Sequence, residues 1–189
     1  MITRYYKYID VLDKKLTEMF EKQEAFIKCK KGCSICCKEG AFTLSELEYI
    51  GMMLYYNEID DKLKEKVDFN INNLLKSTKT KIYECPFLVD NICCVYKARS
   101  IMCRTFGLIS YYKNEQFKIP FCVDIGLNFA EAYDGNLRKT VKTSIHEKIP
   151  QAFNIDRRTL RSKKVEQEFN ILFGEDKPMI DWLREDFDI

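Results

Sequence analysis

Nine cysteines and a single histidine stand in this chain of 189 residues, and eight of the cysteines fall into short segments. Cys29, Cys33, Cys36 and Cys37 form one run, Cys85 and Cys93 a second, and Cys103 and Cys122 follow. Two sulfurs two or three residues apart can turn toward one ion, which is why such spacings recur in zinc and iron–sulfur sites. Four cysteines within nine residues therefore read as soft-metal ligands rather than as small buried hydrophobes. Cys36 and Cys37 are adjacent, and neighbouring side chains diverge by about 100° on a helix and to opposite faces of a strand. The expectation is that the two serve different positions: two centres, or one ligand and one bridging or free thiol. Eight thiolates suffice for two four-thiolate centres, or for one cluster with four cysteines left over. The spacing alone does not partition them.

All-sulfur ligation excludes magnesium and calcium, which take oxygen, and leaves zinc, iron–sulfur or copper(I). Uneven spacing, the vicinal pair and Pro after Cys85 favour an iron–sulfur cluster, with 4Fe–4S as the first expectation and zinc as the alternative. The spacing of Cys29, Cys33 and Cys36 also fits a cluster with one iron left open to S-adenosylmethionine. That pattern belongs after the first strand of a βα barrel, whereas here it follows an expected helix with no βαβ alternation after it. His146 lies in a charged helical stretch and reads as exposed. With no second histidine, a Cys–His nucleophile pair or a histidine-based zinc hydrolase is disfavoured.

The chain is long enough to bury roughly two-thirds of its unfolded surface without crosslinks. No apolar run approaches the ~18 residues of a membrane span, and the N-terminus lacks an uninterrupted signal core. The expectation is a cytoplasmic protein without membrane association, where thiols stay reduced. Lys and Arg total 31 against 29 Asp and Glu, with the signs interspersed, so no basic stripe points to nucleic acid. Lys28, Lys30 and Lys31 beside the first cysteines read as solvated surface, or as charge that offsets thiolates.

Scarce glycine and proline and the lack of a linker predict one domain over residues 1–189, with the cysteine region at about 25–125. Helical packing elements are expected at 1–25 and 127–189. Tyr5, Ile9, Leu12, Leu16, Met19 and Phe20 form a helical stripe over about 3–25. Thr43-Leu44-Ser45-Glu46 has the form of a capping box ahead of Leu47, Ile50 and Leu54. Leu63, Val67, Ile71, Leu74 and Leu75 mark a third helix. The apolar residues around Asp90-Asn91 and around Lys113-Asn114-Glu115 predict two short hairpins. After the turn signal Asp134-Gly135-Asn136, helical spacing returns at Leu137, Val141 and Ile145, and again at Val165, Phe169 and Leu172. Trp182 is expected to dock the C-terminal segment. The fold class is mainly α: five to seven helices with two cysteine-bearing irregular or hairpin segments around a metal centre.

The run CKKGCSICCKEG, followed by CPFLVDNICCVYKARSIMCRTF, resembles the YkgJ-type cysteine-cluster family of zinc- or iron-chelating domains. The resemblance covers about residues 25–125. It rests on the first cysteine run with its adjacent pair, Cys85-Pro86, Cys93 with Val95-Tyr96, and Arg99 through Cys103-Arg104. Ser100 stands where the family usually has proline, which would loosen the turn before Cys103. Cys94 falls on a variable position and reads as a spare thiol, and Cys122 completes the family's eight. The resemblance implies a metal set of Cys29, Cys33, Cys36, Cys37, Cys85, Cys93, Cys103 and Cys122, with Tyr96 and Arg104 behind it. It extends to the longer flagellin lysine N-methylases, so redox or methyl-transfer chemistry, with a protein substrate or partner, is implied as one role. The alternative is a zinc-binding structural or metal-handling module without catalysis. Whether the chain is an enzyme stays open at this point.

Overall fold

The computed structural model describes residues 1–77, 81–111, 117–136, 139–140 and 149–187. The chain is mainly α-helical. Its contacts gather into two compact units, each assembled from separated segments: residues 1–2, 31–103 and 171–189 in the first, and residues 3–30 and 104–170 in the second.

The first unit is built on two helices, α3 (Glu46–Asn57) and α4 (Asp61–Lys76), with α8 (Met179–Asp186). Strand β1 (Thr43–Ser45) pairs antiparallel with β8 (Asp176–Pro178), which brings α8 back beside the start of α3. The core contains Tyr49, Met52, Tyr56, Val67, Ile71, Phe87, Val95, Ile180 and Leu183. Trp182 does dock its segment: its indole N–H donates to the Leu44 carbonyl at 3.3 Å, and its ring stacks on Tyr49 at 5.4 Å.

Two expectations for α3 shift. The capping box is Ser45 with Glu48, two residues beyond the one expected, because Thr43 and Leu44 are committed to β1. The face turned inward carries Leu47, Tyr49, Met52 and Tyr56, while Ile50 and Leu54 are 38% and 45% exposed. The aromatic stripe at steps of three and four won over the aliphatic one, since Tyr and Met bury more surface per residue.

The hairpin of β2 (Leu88–Val89) and β3 (Ile92–Cys93) turns through Asp90 and Asn91, at φ 51° and 61°. Two left-handed residues make the tight turn whose twist matches the strands, and Asp and Asn tolerate it. The short helices α2 (Ile35–Lys38) and α5 (Ile101–Thr105) flank this region in sequence.

In the second unit, α1 (Ile2–Gln23) buries Tyr5, Tyr8, Ile9, Leu12 and Leu16, as its stripe predicts. Strand β4 (Ser110–Tyr111) pairs with β5 (Phe117–Lys118); the expected turn at 113–115 lies outside the described residues. The Asp134-Gly135-Asn136 signal is a turn, joining β6 (Tyr133–Asp134) to β7 (Lys139–Thr140). A strand at 139–140 replaces the start of the helix expected there, and the rest of that helix and His146 fall on residues not described. Helices α6 (Arg157–Leu160) and α7 (Lys163–Phe169) follow; α7 stops at Asn170, which is left-handed at φ 50°, before Leu172 is reached.

Candidate metal centre

Backbone bonds stitch the cysteine segments of the first unit together. Gly40 and Tyr83 exchange both bonds, at 3.1 and 3.2 Å, and the Cys85 amide donates to the Cys37 carbonyl at 2.7 Å. A Cβ on Gly40 would fall 2.2 Å from the tip of the Phe42 ring, so any larger residue would have to displace that ring. The Ser34 hydroxyl bonds Asn91 at 2.8 Å, tying the start of α2 to the β2–β3 turn. The run around Cys36 is thus fixed beside both Cys85 and the hairpin that carries Cys93.

The thiols respond to one another. Burial pushes Cys85 well up, and the nearby Cys103, Cys93 and Cys36 add to it. Burial also pushes Cys93 up to about 12, with Cys103 contributing, and it raises Cys103, with Cys36 contributing. Cys103 keeps an exposed face all the same. Cys36 is raised by its hydrogen bond to Cys37 and then by burial. The run around Cys36 and the stretch from Cys85 to Cys103 therefore bring Cys36, Cys85, Cys93 and Cys103 under one another's influence, with Cys37 beside Cys36.

Cys36 and Cys37 share the single turn of α2, and their thiols interact.

The backbone of Phe87 beside Cys85, the backbone of Val95 beside Cys93 and the Ser100 hydroxyl beside Cys103 act against the rise that burial causes. Hydrogen bonds to a thiolate lower the energy of the charged state against the cost of burial. Ser100 is buried and its oxygen also accepts from the Cys103 amide at 3.3 Å. It therefore caps α5 rather than loosening the turn, which corrects the expectation drawn from its replacing proline.

The positive charge beside the thiols comes from Arg99, which acts on both Cys93 and Cys103. Its guanidinium lies 3.9 Å from the Tyr96 ring centroid and donates to the Tyr96 carbonyl. Tyr96 is 60% exposed and serves as the platform for Arg99. Arg104, expected behind the metal, is buried and pairs in the second unit with Asp13. Arg99 lies in the motif read from the sequence; nothing in the order of residues distinguishes which of its two arginines faces sulfur.

Cys94 follows Cys93 but meets different groups. Its amide bonds the Phe87 carbonyl, and its thiol, raised by burial, is next influenced by Asp90 and Lys66. Cys33 is exposed, one residue after Gly32 at φ 88°, and is not among the principal groups acting on the other thiols. Cys29 and Cys122 belong to the second unit. There Cys29 accepts from the fully buried Asn128 amide at 3.1 Å, and Asn128 also bonds the Lys28 amide and the Gly107 carbonyl. Cys122 is buried within a 3-10 turn.

Among the described residues no three Cys, His, Asp or Glu side chains are drawn close enough to hold a metal ion as they stand, and no helix is long and apolar enough to cross a membrane. The donor set is nonetheless chemically suited to soft metal, since it consists of several sulfurs. Comparison with known proteins adds no likeness: no family model, curated protein or solved structure matches this chain.

Proposed function

We propose that the first unit binds a soft metal centre, an iron–sulfur cluster, through Cys36, Cys85, Cys93 and Cys103, with Cys37 as the neighbouring thiol. One observation carries the reading: the backbone bonds from Cys85 to Cys37 and between Gly40 and Tyr83 hold Cys36 beside the stretch that carries Cys85, Cys93 and Cys103, near enough for the sulfurs to act on one another. As thiolates around a cation their charge is neutralised, and metal binding becomes part of folding. The YkgJ-type resemblance supports the same reading, and so does the placement of Arg99 beside two of the sulfurs.

A bound cluster would supply one-electron chemistry. The chain's own contribution is to hold the sulfurs, to donate hydrogen bonds to them, and through Arg99 to offset their charge, which raises the reduction potential. The methyl-transfer role of the longer N-methylases enters only through that resemblance. Zinc competes for the same thiols, because four sulfurs also complete a closed tetrahedral shell.

Anaerobic purification followed by metal and acid-labile sulfide analysis tests the proposal. Iron and sulfide together with a broad absorption near ~400 nm, the signature of thiolate-to-iron charge transfer, support the cluster. Colourless protein with stoichiometric zinc moves the assignment to a structural zinc site. Protein that takes up neither metal overturns the reading.

A further inference from the structure

Glu48 is a carboxylate in the core of the first unit, 1% exposed, on α3. A buried charge is retained only where its oxygens are fully engaged. One oxygen accepts from the Ser45 amide at 3.0 Å and the Ser45 hydroxyl at 2.7 Å, completing the capping box. The other accepts from the Ile101 amide at 2.8 Å, across 53 residues of sequence. Ile101 is the first residue of α5, and an amide at that position has no acceptor within its own helix. Two residues further along the same turn stands Cys103, its amide capped by Ser100.

We propose that Glu48 is a positioning residue for Cys103: its buried carboxylate joins the start of α5 to the start of α3 and thereby sets where the Cys103 sulfur stands among the other thiols. The inference rests on the metal-binding reading for its purpose, though not for its geometry. Glu48 needs both reach and charge. Asp is one methylene too short to span both helix starts. Gln has the reach but presents an N–H₂ group to one of the donors, so either the cap or the Ile101 bond is lost.

The test uses the full chain and two readouts. In metal-free protein, hydrogen exchange of the segment around Ile101 should be slow in the wild type, although a first-turn amide ordinarily exchanges freely. It should accelerate by about 10-fold or more in Glu48→Gln and Glu48→Asp, as expected for loss of a bond to a charged group, with α4 unchanged. In protein loaded with zinc or reconstituted with iron and sulfide, Cys103 should resist alkylation in the wild type and react faster in both variants.

Rapid exchange at Ile101 in the wild type overturns the proposal even if neither variant folds. Variants that match the wild type in exchange and in Cys103 protection also overturn it, and they leave the metal reading intact. Faster exchange in the variants, with a wild-type Cys103 that no metal protects, supports the positioning role and counts against the metal centre instead.

Discussion

Cys93 and Cys94 are neighbours in the chain with unlike surroundings, and the difference decides what each can do. Cys93 ends β3 and Cys94 begins the turn after it. Cys103 acts on the Cys93 thiol, whereas Asp90 and Lys66 act on that of Cys94. Cys103→Ser and Cys93→Ser should each weaken metal binding by more than the about 10- to 100-fold typical of changes behind the ligands. Cys94→Ser should leave affinity and stoichiometry as they are in metal titration of the reduced protein. Equal losses from Cys94→Ser and Cys93→Ser would contradict this division. The different surroundings of Cys94 agree with its variable place in the motif, but the contacts of Glu48 and Arg99 were not legible in the sequence. Glu48 is one of several acidic residues in the chain, and only the meeting of two helix starts, 53 residues apart, marks it.

At the scale of elements, periodicity located α1, α3, α4 and α7, and turn chemistry located the hairpin at Asp90-Asn91. What periodicity missed was which stripe of α3 turns inward, because two apolar stripes share that helix and the choice depends on partners elsewhere in the chain. Tyr83 shows how such partners act. It bridges to Gly40 through its backbone, while its hydroxyl accepts from the Ile180 amide at 3.1 Å at the start of α8. Burial, against the lowering effect of the Ile180 amide, pushes its hydroxyl up to about 12. A folded-state value above the usual one near ~10 means that the neutral ring stabilises the fold fully below pH ~10, and that this contribution disappears as pH rises toward ~12. Tyr83→Phe should cost about 1 kcal/mol at neutral pH by leaving the Ile180 amide without its acceptor. It should also remove about 2 to 3 kcal/mol of the alkaline loss. Denaturant unfolding at pH 7 and across pH 9 to 12 measures both. An unchanged alkaline profile would show that Tyr83 is not titrating with the fold.

For the whole molecule, apolar periodicity pointed to a mainly α chain and the cysteine spacing to soft-metal ligands, but neither carries a sign of two compact units. The first unit closes through β1 and β8, whose pairing joins Thr43 to Pro178 across 135 positions, and the second joins residues 3–30 to 104–170. No linker marks such a division, since the chain passes between the units at ordinary loops and within α5. The cysteines follow the same division: Cys29 and Cys122 lie with the second unit, and the mutually acting thiols with the first. The account therefore depends on a donor set drawn from the first unit. Its most direct test is X-ray absorption at the metal edge of the loaded, reduced protein. We expect a first shell of sulfur alone at about 2.3 Å, weakened by Cys36→Ser, Cys85→Ser, Cys93→Ser or Cys103→Ser and unchanged by Cys94→Ser. A shell dominated by nitrogen or oxygen, or one indifferent to those four substitutions, would contradict it.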